Sequence, residues 1–236
     1  GNVELDASFM NGLTLDAGAI SGASKIKNPI SAAIAVMENS PHVMLSGIGA
    51  DEFASNQKLE LKPNSYFITE RRSKSLEKVK SEQTFVMNID KQYLLTQKYG
   101  TVGCVALDKR GNISSGTSTG GMTNKKWNRI GDAPIIGAGT YANNKTCGVS
   151  ATGWGEFFIR SVVAYDISAL MEYKGLSVQE ASRVVIHEKV SKLGGTGGVI
   201  ALDNKGNVAM EMNTAGMYRA HMNSKGTKII KIYADK

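Results

Sequence analysis

Gly100-Thr101-Val102-Gly103 opens an apolar run, and eighteen residues after Thr101 stands Thr119, within Thr117-Ser118-Thr119-Gly120-Gly121. A threonine at the start of a strand becomes a nucleophile if the peptide bond before it is cut, because its new α-amine sits within reach of its own hydroxyl. An α-amine titrates near pH ~7.7–8.0, so a useful fraction is unprotonated at neutral pH and can take the hydroxyl proton without a histidine. By itself the tetrapeptide reads first as an ordinary strand residue between turn glycines, so it has to be weighed with the other candidates.

Gly116-Thr117-Ser118-Thr119-Gly120 matches the Gly-x-Ser-x-Gly pattern of serine hydrolases, which requires a sharp turn from strand into helix. Here the pattern runs into 122–134, whose glycine, asparagine and proline content opposes a helix. The three histidines, His42, His187 and His221, are scattered, and His187 falls on a predicted helix as a surface or packing residue, which favours a mechanism without histidine. Gly153-Trp154-Gly155 and Gly194-Gly195-Thr196-Gly197-Gly198 lack the Lys-Ser/Thr ending or the following helix of a phosphate loop. They suit close backbone approach or N–H donation to a ligand. Arg129 and Asp132 could grip an amino-acid zwitterion, one binding carboxylate and the other ammonium, or simply pair with each other in a loop. Thr152-Gly153 could supply a hydroxyl and an N–H to an oxyanion, although turns before helices commonly carry these residues.

These residues are positioned by a repeated unit. Residues 105–113 (VALDKRGNI) are echoed by 200–208 (IALDNKGNV), and the register continues so that Thr119, Gly121 and Met122 align with Thr214, Gly216 and Met217. Each copy reads as strand, polar turn with glycine, and strand, which is a β-hairpin. Between the hairpins, residues 155–175 have apolar positions at helical spacing and end on Gly175, predicting one continuous helix. Ser177 and Glu180 form a capping box for a second helix through about Val190. A further helix begins at Asn28-Pro29 and turns Ile30, Ala33, Ile34 and Met37 inward. Residues from about 69 to 100 are rich in lysine and arginine and read as a short helix followed by an exposed linker leading to Thr101. Helices interleaved with antiparallel hairpins favour helical layers over stacked sheets.

The 236 residues, 42% of them hydrophobic, suffice for one large layered domain, 1–236. The net charge of +7 permits an anionic partner. The basic stretches 71–80 and 125–129 carry no aromatic stacking pattern, so neither DNA nor RNA is expected as a partner. No apolar run is long enough to cross a bilayer, so no membrane partner is expected. Cys104 and Cys147 lack metal or disulfide spacing, which suits a reducing, cytoplasmic location.

In order along the chain, the segments 100–103 (GTVG), 117–125 (TSTGGMTNK), 129–134 (RIGDAP), 137–142 (GAGTYA), 194–198 (GGTGG) and 213–219 (NTAGMYR) resemble the plant-type asparaginase, or isoaspartyl peptidase, family of N-terminal-nucleophile (Ntn) hydrolases. Leu5-Asp6-Ala7 and 28–44 extend the likeness upstream. The resemblance implies an α+β fold, a four-layer αββα sandwich of antiparallel sheets. The precursor would cut itself between Gly100 and Thr101 into an α portion, 1–100, and a β portion, 101–236, which pair as a dimer of heterodimers. Thr101 would be nucleophile and, through its amine, base. Thr119 would assist it, Thr152 and Gly153 would stabilise the oxyanion, Arg129 and Asp132 would hold the substrate's α-groups, and Gly153 and Gly155 would line the pocket. Asparagine and β-aspartyl dipeptides are the implied substrates, with no catalytic cofactor and with a structural sodium ion on carbonyls of an early loop near residues 4–12. Trp154 and Ala215 replace a small or polar residue and a glutamate common in the family, and the family's opening His-Gly-Gly-Ala-Gly strand is not found in the sequence. These departures leave open a second reading, a truncated or inactive relative that serves as a binding or partner subunit.

Overall fold

The computed structural model describes residues 1–85 and 100–233. The expected linker therefore lies largely outside the described residues.

Two sheets face each other. The first has the order β3-β2-β1-β5-β4, built from β1 (Leu5–Asn11), β2 (Ala17–Ala23), β3 (Met44–Ser46), β4 (Thr101–Leu107) and β5 (Ile113–Thr119). The second has the order β6-β7-β8-β9, built from β6 (Thr140–Ala142), β7 (Cys147–Gly153), β8 (Gly197–Asp203) and β9 (Val208–Met212). Strands β10 (Gly216–Met222) and β11 (Lys228–Tyr233) form a separate exposed ribbon. The pairings are antiparallel except β2 with β3, which run parallel because helix α1 (Pro29–Asn39) carries the chain back across the sheet. This corrects the expectation of purely antiparallel sheets.

Helix α1 and α2 (Gly47–Asn56) cover the outer face of the first sheet. Ala32, Ala33 and Val36 are buried there against Ala7, Ile20 and Ala23, so the buried stripe of α1 is turned from the one expected, and Ile34 and Met37 are half-buried. Helix α1 lies almost directly on β2, because Ala33 O and Met37 N occupy the space a side chain on Gly18 would need. Helices α4 (Gly155–Ser161), α5 (Val163–Lys174) and α6 (Val178–Arg183), the last continued by a π-helical segment Val184–Val190, cover the outer face of the second sheet. Phe158, Ile167 and Ile186 are fully buried there, each contributing about 1.5–3 kcal/mol. The order is helices, sheet, sheet, helices.

Both repeated hairpins form, as β4-β5 and β8-β9. Their turns are closed alike: Asp108 accepts from the N–H groups of Arg110 and Asn112, and Asp203 from those of Lys205 and Asn207. The capping box at Ser177 and Glu180 is also present. The expected single helix over 155–175 is instead broken at Val162, which has φ 48°. The loop before β6 explains the break, since Gly137 O and Ala138 O accept the N–H groups of Tyr165 and Ala164 at 2.8 and 3.2 Å. Helix α3 (Glu70–Phe85), with 16 residues, is longer than the short helix expected.

Candidate active site

The site is organised by register. Thr119 on β5 pairs with Thr101 on one side and with Asp6 on β1 on the other. Paired residues share a face of a sheet, so Asp6, Thr119 and Thr101 form one row. In the next row Ser8, Thr117 and Gly103 face the second sheet. There the hydroxyls of Ser8, Thr117, Thr140 and Ser150 form a buried chain with links of 2.6–2.7 Å. Gly103 lies directly opposite Ser150, whose Oγ fills the space a Cβ on Gly103 would need. This bare position lets β7 close on β4 and brings Thr152, two residues beyond Ser150, level with Thr101.

Thr101 Oγ1 donates to Thr119 Oγ1 at 3.2 Å, and the Gly121 N–H donates to the same oxygen at 3.0 Å. Thr101, Thr152 and Gly153 open onto one cavity of about 600 Å3, together with Thr196, Gly197, Gly198 and Thr214. A Cβ on Gly153 would stand 2.5 Å from Thr196 O and 2.6 Å from Gly197 Cα, so one glycine of each cluster seen in the sequence, Gly153 and Gly197, is required by the close approach of β7 and β8. The second repeat thus supplies Thr214 and Gly216 to the cavity lining, while their counterparts in the first repeat, Thr119 and Gly121, support Thr101 from outside it. Ser118 lies within strand β5, not at a strand-to-helix turn, so no serine elbow forms. His187 is half-exposed and bonded to Glu211 at 2.8 Å.

Arg129, Asp132 and Gly155 form an adjoining cluster outside this cavity wall. The Arg129 guanidinium holds Glu156 in bidentate fashion, Nε to Oε1 at 2.8 Å and Nη2 to Oε2 at 2.7 Å. Of the two alternatives for Arg129, the structure shows a pair within the chain, but its partner is Glu156 and not Asp132. A Cβ on Gly155 would stand 2.8 Å from Asp132 Oδ1. Asp132 Oδ2 is buried without a hydrogen-bond partner, and burial pushes the carboxyl up to about 7. An unpartnered acceptor here suits an incoming ammonium group.

No local motif in the sequence marks the support beneath Thr119. Lys125 Nζ lies 3.0 Å from Glu4 Oε2 and 3.9 Å from Asp6 Oδ2. Its Cδ is 3.1 Å from where a Gly121 Cβ would stand. The lysine therefore packs over the glycine whose N–H fixes Thr119. Burial raises the Asp6 carboxyl, opposed chiefly by Lys125. Only the pairing of β1 with β5 brings these residues together.

In the early segment near residues 4–12, named above for a structural sodium ion, Leu5–Asn11 is strand β1, paired with β2 on one side and β5 on the other. Among the described residues no group of three or more His, Cys, Asp or Glu could hold a metal ion, and no helix is long and apolar enough to cross a membrane. Both cysteines are free.

The asparaginase family profile matches residues 1–232. The chain is 50% identical to the isoaspartyl peptidase of Escherichia coli (strain K12), over 99% of this chain and 73% of that protein. It is 48% identical to the isoaspartyl peptidase of Salmonella typhimurium, over all of this chain and 75% of that protein. It is 42% identical to the isoaspartyl peptidase/L-asparaginase of Mus musculus, over 92% of this chain and 65% of that protein. Thr101 at the head of its strand and bonded to Thr119, a glycine-lined cavity before it and a likeness spanning both hairpins agree: the chain belongs to the asparaginase family.

Proposed function

We propose that this chain is a self-cleaving threonine amidohydrolase that hydrolyses β-aspartyl dipeptides and asparagine to aspartate. The observation that carries the reading is the placement of Thr101, first in its strand, hydrogen-bonded to Thr119 and sharing a cavity with Thr152 and Gly153. Identity of about half with an isoaspartyl peptidase over nearly the whole chain supports it over an inactive relative.

In the precursor, Thr101 Oγ attacks the Gly100 carbonyl carbon. The Gly100 C–N bond breaks, the departing nitrogen takes the hydroxyl proton, and an ester remains on Oγ. Water cleaves that ester, leaving a Gly100 carboxylate and a free Thr101 amine. In turnover the amine takes the Oγ proton as Oγ attacks the substrate's side-chain carbonyl, and it passes that proton to the departing ammonia or amino acid. The Thr152 hydroxyl and the Gly153 N–H face the developing oxyanion. Asp132, with Arg129, meets the substrate's α-ammonium and α-carboxylate, which requires the guanidinium to share itself between Glu156 and the ligand. Water then releases aspartate. Apart from the two water molecules, every group in this reaction sequence belongs to the chain or the substrate.

The four-layer order with a nucleophile at the head of an inner-facing strand supports the Ntn-hydrolase type. In the same reading, 1–100 and 101–236 stay together after the cut, because β1 of the first fragment pairs with β5 of the second from Asp6 to Asn11. They pair as a dimer of such heterodimers in the cytoplasm, a location that two free cysteines suit. Aspartate release from a β-aspartyl dipeptide and from asparagine tests the activity: the wild type releases aspartate from both, and Thr119→Ala lowers kcat at least tenfold. Absence of release from either substrate by the wild type contradicts the reading.

A further inference from the structure

One wall of the Thr101 cavity has no part in the chemistry above. Arg71 and Arg72, adjacent in the first turn of α3, both line it, and its remaining lining residues are uncharged. Both arginines are exposed, and among the described residues neither is paired with a carboxylate. Neighbouring Glu70 is taken by Lys74, while Glu4 and Glu156 are held by Lys125 and Arg129. Two unpaired guanidinium groups beside an otherwise neutral cavity attract carboxylates and can bind one through paired N–H donors.

The next step rests on the hydrolase reading. A β-aspartyl dipeptide carries two carboxylates, one on the aspartyl residue and one on the departing amino acid, whereas asparagine carries only the first. With the aspartyl carboxylate assigned to Arg129, the second has no partner. We propose that Arg71 and Arg72 form a subsite for the carboxylate of the departing amino acid and so favour β-aspartyl dipeptides with a free C-terminus. In the uncut chain the Arg72 guanidinium lies against Gly100. The cut that frees the Thr101 amine also frees this guanidinium for substrate.

The test compares kcat/KM for β-aspartyl-alanine and β-aspartyl-alanine amide, which differ only in the departing carboxylate, with asparagine as a third substrate. The processed wild type is expected to prefer the free acid at least tenfold, and Arg71→Gln/Arg72→Gln to bring the ratio near one. The loss should fall mainly in KM, since binding of a remote group is removed. Each single variant is expected to fall between, so the test survives if the double variant fails to process. Turnover of acid and amide with equal kcat/KM by the wild type overturns the subsite alone, as does an unchanged ratio in the variants. Failure of all three substrates overturns the hydrolase reading and the subsite with it.

Discussion

Gly103→Ala tests whether the two sheets are held at the spacing the site needs. The new methyl would coincide with Ser150 Oγ and lie 2.8 Å from Ser150 Cβ. Ser150 is buried and bonded to Thr117 at 2.6 Å, so it cannot turn away without leaving a hydroxyl unpaired. Overpacking costs about 1–3 kcal/mol and a disrupted buried hydrogen bond about 1–3 more, giving roughly 3–4 kcal/mol together. For a chain of this size that lowers the melting temperature by about 10 °C. The measurement belongs in the uncut Thr101→Ala background, so that a single chain unfolds. Parting of β4 from β7 by about 1 Å in the otherwise native enzyme is expected to lower kcat about 100-fold. Ser150→Gly removes the obstruction, so the double variant should be about as stable as Ser150→Gly alone, a coupling of about 3 kcal/mol. A neutral Gly103→Ala, or strictly additive effects in the pair, would refute the argument that this glycine sets the sheet spacing.

The raised Asp132 carboxyl makes a signed prediction about pH. Its proton is held up to about pH 7 in the folded chain but is lost near 3.8 when unfolded, so this group's contribution to stability falls as pH rises from about 4 to 7 and is gone above. Asp132→Asn should therefore gain stability relative to the wild type across that window, by up to about 4 kcal/mol from the shift, in thermal melts at successive pH values. A difference between the two proteins that does not change with pH would contradict the assigned burial. Lys125→Met leaves the buried Asp6 and the half-buried Glu4 without their cation and is expected to cost about 3–5 kcal/mol and to lower kcat through Thr119. Lys125→Arg should recover much of both, and equal kcat in wild type and Lys125→Met would remove the proposed support.

The hairpins were legible because each carries its own turn chemistry: an aspartate accepting two backbone N–H groups is encoded within five residues. The capping box at Ser177 is local in the same way. The break at Val162 was not legible, because it depends on carbonyls of Gly137 and Ala138 more than twenty residues earlier in the chain. The site divides similarly. Thr101, Thr119, Thr152 and Gly153 lie in recognisable short segments, and the fold gathers them. That Arg129 would meet Glu156, that Asp6 would stand in the row of Thr101, and that Arg71 and Arg72 would line the same cavity as Thr101 all follow from packing between distant segments. Their residue types alone, charges in a basic chain, read equally well as solvated surface.

The central claim is that Thr101 is a nucleophile freed by cleavage of its own peptide bond. The intact mass of the purified protein, taken under denaturing conditions after incubation at neutral pH, tests it most directly. The account predicts two fragments corresponding to 1–100 and 101–236, the second beginning with Thr101, and an uncut Thr101→Ala chain. A single 25.2 kDa species in the wild type, or fragments of the same size from Thr101→Ala, would contradict it.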